Sequence, residues 1–267
     1  MKCAILLAAY GVSTLQSDSA LKRFDALVRA RFPHMPVRWA FTSCMVRQRM
    51  AEARKKSDSV QKALEKYRFE KFTHIAVQPL QTLPGRENSD VGLAVQEAAR
   101  DNAMVICTGR PLLATTADVH AAALALVQHV PAQRKAHEDV VFMGHGAQHA
   151  AVSRYEDLAQ QVRALDSHVH VGAMNGITTL DAILPTLSSK RVWLMPLLSV
   201  VGRHALNDMA GEAPSSWKQR IAAAGHECIP VLKGIAEYQA VAEIWIEHLA
   251  QAVATLHVTQ PYPDEMK

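Results

Sequence analysis

Two histidines stand where a chain can use them for chemistry. His145 follows the apolar run Val140-Val141-Phe142-Met143, is held between Gly144 and Gly146, and has His149 four residues beyond it. An imidazole can accept a proton near neutral pH or hold a borderline divalent metal through nitrogen. Glycines on both sides let the backbone turn sharply and let a bulky ligand come close. His204 has a related setting, because the apolar run Trp193-Leu194-Met195-Pro196-Leu197 passes into a loop carrying Gly202-Arg203-His204. Taken singly, each histidine has a plain reading: a solvated strand-end turn for His145, a cap on the polar turn Ala205-Leu206-Asn207-Asp208 for His204. Taken together, they read as two imidazoles at the C-terminal ends of parallel strands. That is where open α/β sheets place their ligand sites, and neighbouring strands bring such loops together.

The elements that must position them alternate along the chain. Strand patterns at 2–10, 36–41, 73–79 and 103–107 are separated by helical patterns at 15–32, 44–67 and 87–100. A helix near 115–129 leads into a second series, with strands at 138–143, 168–173, 191–196 and 227–231 and helices at 149–165, 176–187, 215–224 and 235–256. Such alternation predicts parallel sheets with right-handed crossovers. The expected fold is α/β, with two similar lobes. Each is a mainly parallel four-stranded sheet flanked by helices, one over residues 1–125 and one over 126–267, with the site in the cleft between them. Tyr10-Gly11-Val12-Ser13 closes the first strand of one lobe as Met143-Gly144-His145-Gly146 closes the first strand of the other.

Composition narrows the function classes. The 267 residues carry 29 Lys+Arg against 25 Asp+Glu, a formal net charge of +4, and the basic residues are interspersed with acids. That argues against a nucleic-acid partner and suits a small anionic ligand. Cys3, Cys44, Cys107 and Cys228 are far apart and form no Cys-x-x-Cys pair. They read as reduced thiols of a cytoplasmic protein, not as a disulfide frame or zinc site. No run approaches the roughly 20 apolar residues that span a bilayer, so no membrane partner is expected. The N-terminal run Met1–Gly11 has the basic residue of a signal peptide, but it is short and ends in Tyr-Gly-Val-Ser, so it reads as a first buried strand.

Longer segments now carry a resemblance. Gly144-His145-Gly146 with His149, Ala40-Phe41-Thr42-Ser43, Val77-Gln78-Pro79-Leu80, and the long run from Pro196 to Gly211 with Ser215-Ser216-Trp217-Lys218 beyond it resemble the anaerobic-type sirohydrochlorin cobaltochelatases. The match is collinear over nearly the whole chain. It implies the class II chelatase fold and ATP-independent insertion of Co²⁺, with Fe²⁺ as a second metal, into sirohydrochlorin or a related tetrapyrrole. Such a lyase serves cobalamin or siroheme biosynthesis. The metal is a substrate and no organic cofactor is expected. His145 and His204 become the metal-facing pair with Asn175 beside them, and His145 and Glu87 the catalytic groups. Tyr10, Ser13, Arg47, Gln81, His149 and Arg203 become contacts of the tetrapyrrole; Arg49 and Arg86 are further candidates for its acetate and propionate groups. A homo-oligomer stays open.

Metal insertion must remove two pyrrole N–H protons and strip water from the ion, which suits neutral imidazoles helped by carboxylates. Three positions depart from the resemblance. Gln81 stands where the family usually has histidine, Asn175 where it has glutamate, and Arg203 where it has aspartate. An amide offers a carbonyl oxygen but accepts no proton at neutral pH. A non-catalytic tetrapyrrole- or metal-binding protein on the same scaffold is therefore the alternative. A histidine-dependent hydrolase ranks last, because no Gly-x-Ser-x-Gly elbow is present.

Overall fold

The computed structural model describes residues 1–11, 15–84, 86–100, 103–146, 152–176 and 178–258, and at 15–16, 86–89, 152 and 257–258 the backbone alone. The first sheet contains β1 (Cys3–Ala9), β2 (Val37–Phe41), β3 (His74–Pro79) and β4 (Val105–Thr108), all parallel, in the order β2-β1-β3-β4. The second contains β5 (Asp139–Gly146), β6 (Val169–Asn175), β7 (Arg191–Leu197) and β8 (Glu227–Pro230), in the order β6-β5-β7-β8, again parallel. The two sheets thus repeat one topology. In each, the chain leaves its first strand for a neighbour on one side and then returns to the other side. The point of reversal lies between β1 and β3 and between β5 and β7, and the crevice outside their C-terminal ends is the natural ligand position.

The helices are α1 (Leu15–Arg31), α2 (Cys44–Glu52), α3 (Val60–Phe69), α4 (Arg86–Ala99), α5 (Thr116–Gln128), α6 (Val152–Leu165), α7 (Leu180–Ile183), α8 (Trp217–Ala223) and α9 (Gln239–Val258). The single helix expected over 44–67 is two. The Ser43 and Ser59 hydroxyls each cap a helix start, and Arg54, at φ 54°, ends the first helix between them. The helix expected over 176–187 shrinks to α7 and a 3₁₀ turn, Leu184–Thr186, with Pro185 inside it. The segment read as a loop after β7 holds a π-helix, His204–Met209.

Side-chain alternation along the strands sorts the core into three layers. Ile5, Leu7 and Ala9 of β1 and Val140 and Phe142 of β5 share one central cluster with apolar residues of α1, α5, α6 and α9. Ala4, Leu6 and Ala8 face the opposite side, against Leu64 and Tyr67 of α3. Val141 and Met143 face α7 and α8. Both faces of each sheet are covered, which is why the strands read as continuous apolar runs.

Two of the connections that join the halves bear on the site and the core beneath it. Helix α9 follows the second sheet in sequence but lies against β3 and β4 of the first. Its Trp245, fully buried, meets Phe24 edge-on at 6.2 Å; truncating such a ring costs about 3–5 kcal/mol. Near the site, the Ser199 hydroxyl beyond β7 donates to the Leu80 carbonyl beyond β3 at 2.5 Å.

The N-terminal end of β5 is anchored by Asp139. Its buried carboxylate accepts from the Ser188 and Ser189 N–H groups, both at 2.8 Å, and lies 3.0 Å from His168 Nδ1. Burial alone raises a carboxyl pKa, but these donors prevail and bring it down to about 2. A depressed carboxyl contributes stability above its unfolded value and loses it as pH falls through the folded value. Asp139→Asn is expected to cost on the order of 2 kcal/mol at neutral pH. The gap from the parent should narrow as pH is lowered from about 5 towards 3. Urea unfolding across that range checks this; a gap that stays constant would contradict the assignment.

Candidate active site

His145 is the penultimate residue of β5, and both of its glycines are dictated by close approach. A Cβ on Gly144 would lie 2.5 Å from the ring of Tyr155, a buried residue of α6. Gly146 has φ +83°, and a Cβ there would lie 1.8 Å from the Asn175 carbonyl oxygen at the end of β6. The imidazole between them is therefore carried on a strand end with no room for a side chain at either flanking position. Burial pushes the Tyr155 hydroxyl up to about 12, against the opposing backbone of Gly146 and His145, so it remains a neutral phenol.

His204 opens the π-helix that follows β7. The His145 and His204 ring centroids are 5.0 Å apart with their planes at 78°. Zinc-like N–metal bonds are about 2.0–2.1 Å, so two rings this close can share one ion. The Nδ1 of His204 lies 2.7 Å from the Asp208 carboxylate. Burial and then the neighbouring His204 push His145 below its ordinary 6.5, with the Gly146 backbone and Asp208 acting in the opposite direction. His145 is therefore neutral at pH 7 and can ligate or accept a proton.

The other expected site residues are distributed unevenly. Asn175 closes β6, exposed, in register with Gly146 and so beside His145. Tyr10 follows β1 and is 45% exposed. Gln81 is buried two residues beyond β3, and neither its amide nitrogen nor its amide oxygen has a hydrogen-bond partner. Arg47 is committed elsewhere: one terminal nitrogen donates to the Phe41 carbonyl at 2.6 Å and the Thr42 carbonyl at 2.9 Å, closing the turn from β2 into α2. Arg203 is exposed just before the π-helix. Ser13, His149 and the side chains of Arg86 and Glu87 lie outside the described residues. No cluster of three or more His, Cys, Asp or Glu able to hold a metal occurs among the described residues.

Sequence reading missed three contributors: Tyr155, Asp208 and the apolar residues on the C-terminal side of the sheets. Met45 in the first turn of α2 and Leu206 on the π-helix are exposed, as Tyr10 is. The four-residue spacing from His204 to Asp208 was the one available signal, since residues so spaced face each other on a helix; the loop reading hid it.

The sequence matches a family model described as cobalt chelatase (CbiK) over residues 3–254. The chain belongs to the CbiK cobalt chelatase family. A sirohydrochlorin cobaltochelatase, CbiKC, of Nitratidesulfovibrio vulgaris is 55% identical over 259 residues, covering 96% of this chain and 92% of that relative. The sirohydrochlorin cobaltochelatase of Salmonella typhimurium is 34% identical over 260 residues, covering 95% and 97%. Among solved structures, SirB from Bacillus subtilis with Fe³⁺ superposes with a TM-score of 0.67 at 17% identity, covering 98% of this chain and all of that one. CbiX, described as the terminal enzyme of siroheme biosynthesis in denitrifying bacteria, gives 0.58 at 15% identity, covering 93% and 99%. These two share the fold, and the expected class II chelatase architecture of two parallel four-stranded sheets holds.

In this CbiK-family chain the squeeze around β5 makes a direct prediction. Gly144→Ala should drive the Tyr155 ring outward, cost about 1–3 kcal/mol by overpacking, and weaken Co²⁺ binding by moving His145. Thermal unfolding and calorimetric Co²⁺ titration check both parts. Parental stability together with parental affinity would contradict the packing argument.

Proposed function

We propose that this protein inserts Co²⁺, with Fe²⁺ as a second metal, into sirohydrochlorin or a closely related tetrapyrrole, without ATP, in cobalamin or siroheme biosynthesis. The observation that carries the reading is the imidazole pair at 5.0 Å, one ring at the end of β5 and the other on the π-helix that follows β7, the two strands that flank the reversal point of the second sheet. The 55% identity to a protein named for this activity supports it. The four free cysteines are in keeping with a cytoplasmic setting, and no helix among the described residues is long and apolar enough to cross a membrane.

The reaction exchanges two pyrrole N–H protons for one divalent ion. His145 and His204 hold the incoming ion through nitrogen and leave its remaining positions for water and then for pyrrole nitrogens. As the ion passes to the macrocycle, His145 is free to take a pyrrole proton and release it to solvent, and Glu87 serves as the second acceptor. Tyr10, Met45 and Leu206 offer apolar surface to the flat macrocycle. The unpartnered Gln81 amide makes a polar contact with the bound substrate, which relieves the cost of burying it unsatisfied. Arg203 meets peripheral carboxylates, with Ser13 and His149 completing the binding surface. Arg47 acts by shaping the turn after β2. Because a protonated imidazole cannot ligate, metal binding is lost on acidification, and the depressed His145 moves that loss below the ordinary imidazole range.

Anaerobic incubation with sirohydrochlorin and Co²⁺, followed by absorbance, tests the assignment. His145→Ala should abolish insertion, and His204→Ala should reduce it strongly. Parental rates in both variants would overturn the reading.

The neutral Asn175 amide beside His145 favours, as a second reading, a tetrapyrrole- or metal-binding protein on this scaffold. Asn175→Glu separates the two. A carboxylate there adds an anionic ligand and a base, and a nearby cation keeps it ionised. A weakened chelatase should gain rate in this variant, either alone or with Arg203→Asp to prevent a competing ion pair. A flat response in both backgrounds favours the binding protein.

A further inference from the structure

The structure assigns to Asp208 the task of orienting the site: we propose that its carboxylate holds His204 as the Nδ1–H tautomer, leaves Nε2 bare for the metal, and supplies the negative charge that Asn175 and Arg203 do not. The second half of this proposal rests on the chelatase reading; the first half does not.

Three observations carry it. Asp208 Oδ2 lies 2.7 Å from His204 Nδ1. An ionised carboxylate only accepts hydrogen bonds, so the ring nitrogen facing it must carry the hydrogen. In a neutral imidazole the lone pair is then on Nε2. The two residues lie four apart within the π-helix His204–Met209, a rare backbone form that recurs at functional sites. Here it brings the carboxylate and the imidazole together at one end of the turn. Finally, among the described residues no Lys or Arg pairs with Asp208, whose only ion-pair contact is His204. Its charge is not consumed elsewhere, and it also acts on His145.

Carboxylate-to-histidine contacts of this kind fix ring orientation and raise ligand basicity at metal sites, and losing one typically costs about 10–100-fold in affinity or activity. Asp208 does not need to touch the metal or the macrocycle to have this effect, so it is a positioning residue. It also makes the two histidines unequal: His204 has its tautomer set by a side chain, whereas His145 is held chiefly through its backbone.

The test uses the full-length protein with ¹⁵N-labelled histidine. Long-range ¹H–¹⁵N correlation of the metal-free protein, above the imidazole titration range, reports the tautomer of His204. The parent should show Nδ1–H with Nε2 bare. Asp208→Asn can turn its NH₂ group towards Nδ1 and so admit the Nε2–H form; its His204 should move to that tautomer. Co²⁺ insertion by Asp208→Asn should fall about 10–100-fold in kcat, with the tetrapyrrole KM little changed, while Asp208→Glu should restore the tautomer and part of the rate. An Nε2–H parent, or an Asp208→Asn protein that keeps the parental tautomer and rate, would overturn the proposal. If the parent itself inserts no metal, the chelatase reading fails, and the tautomer result together with Co²⁺ titration of the same variants still decides the role of Asp208.

Discussion

The ring of Tyr155 and the carbonyl oxygen of Asn175 leave no room for a side chain on either side of His145. This double contact at the end of β5 is the constraint on which the site depends. A strand end beside a ligand crevice is ordinarily free to adjust, but here α6 packs on one flank and β6 on the other. A ligand held within about 0.5 Å of productive geometry needs such support from rigid elements. The glycines therefore serve packing first, and the approach of a bulky substrate second.

Electrostatically the site is restrained. Burial and then the neighbouring His204 hold His145 below its ordinary value. The Asp208 carboxylate, four residues from His204, lies 2.7 Å from its Nδ1. Two imidazoles with one nearby carboxylate are, as a donor set, able to bind a divalent ion without enclosing it, which suits an ion that must be handed on. A closed set of three or four anionic ligands would retain it, as structural metal sites do.

A shared helical layer joins the two repeated sheets. Ile5, Leu7, Val140 and Phe142 belong to a single buried cluster, so neither sheet covers its inner face without the other's helices. α9 extends the second half of the chain onto β3 and β4. The Ser199–Leu80 hydrogen bond then joins the two reversal points at their mouths.

The alternation of short apolar runs with helical patterns determined the two parallel sheets, because crossover helices cover both faces of such a sheet and its strands then read as continuous apolar runs. Gly144-His145-Gly146 likewise marks a strand end with special backbone needs, which are written in residue types and which the Tyr155 ring and the Asn175 carbonyl account for. What the sequence left open was everything set by contacts between distant segments. The break of 44–67 into α2 and α3 depended on which serines acted as caps. The commitment of Arg47 to two backbone carbonyls was invisible because any exposed arginine reads as a candidate for an anion. The π-helix after β7, and with it the pairing of Asp208 with His204, leaves no mark in the residue types beyond a four-residue spacing. Local residue types decide which strand ends in a histidine; only the packed structure decides that two such histidines stand 5.0 Å apart, because that distance is fixed by the sheet and the π-helix, elements built from residues far apart in the chain.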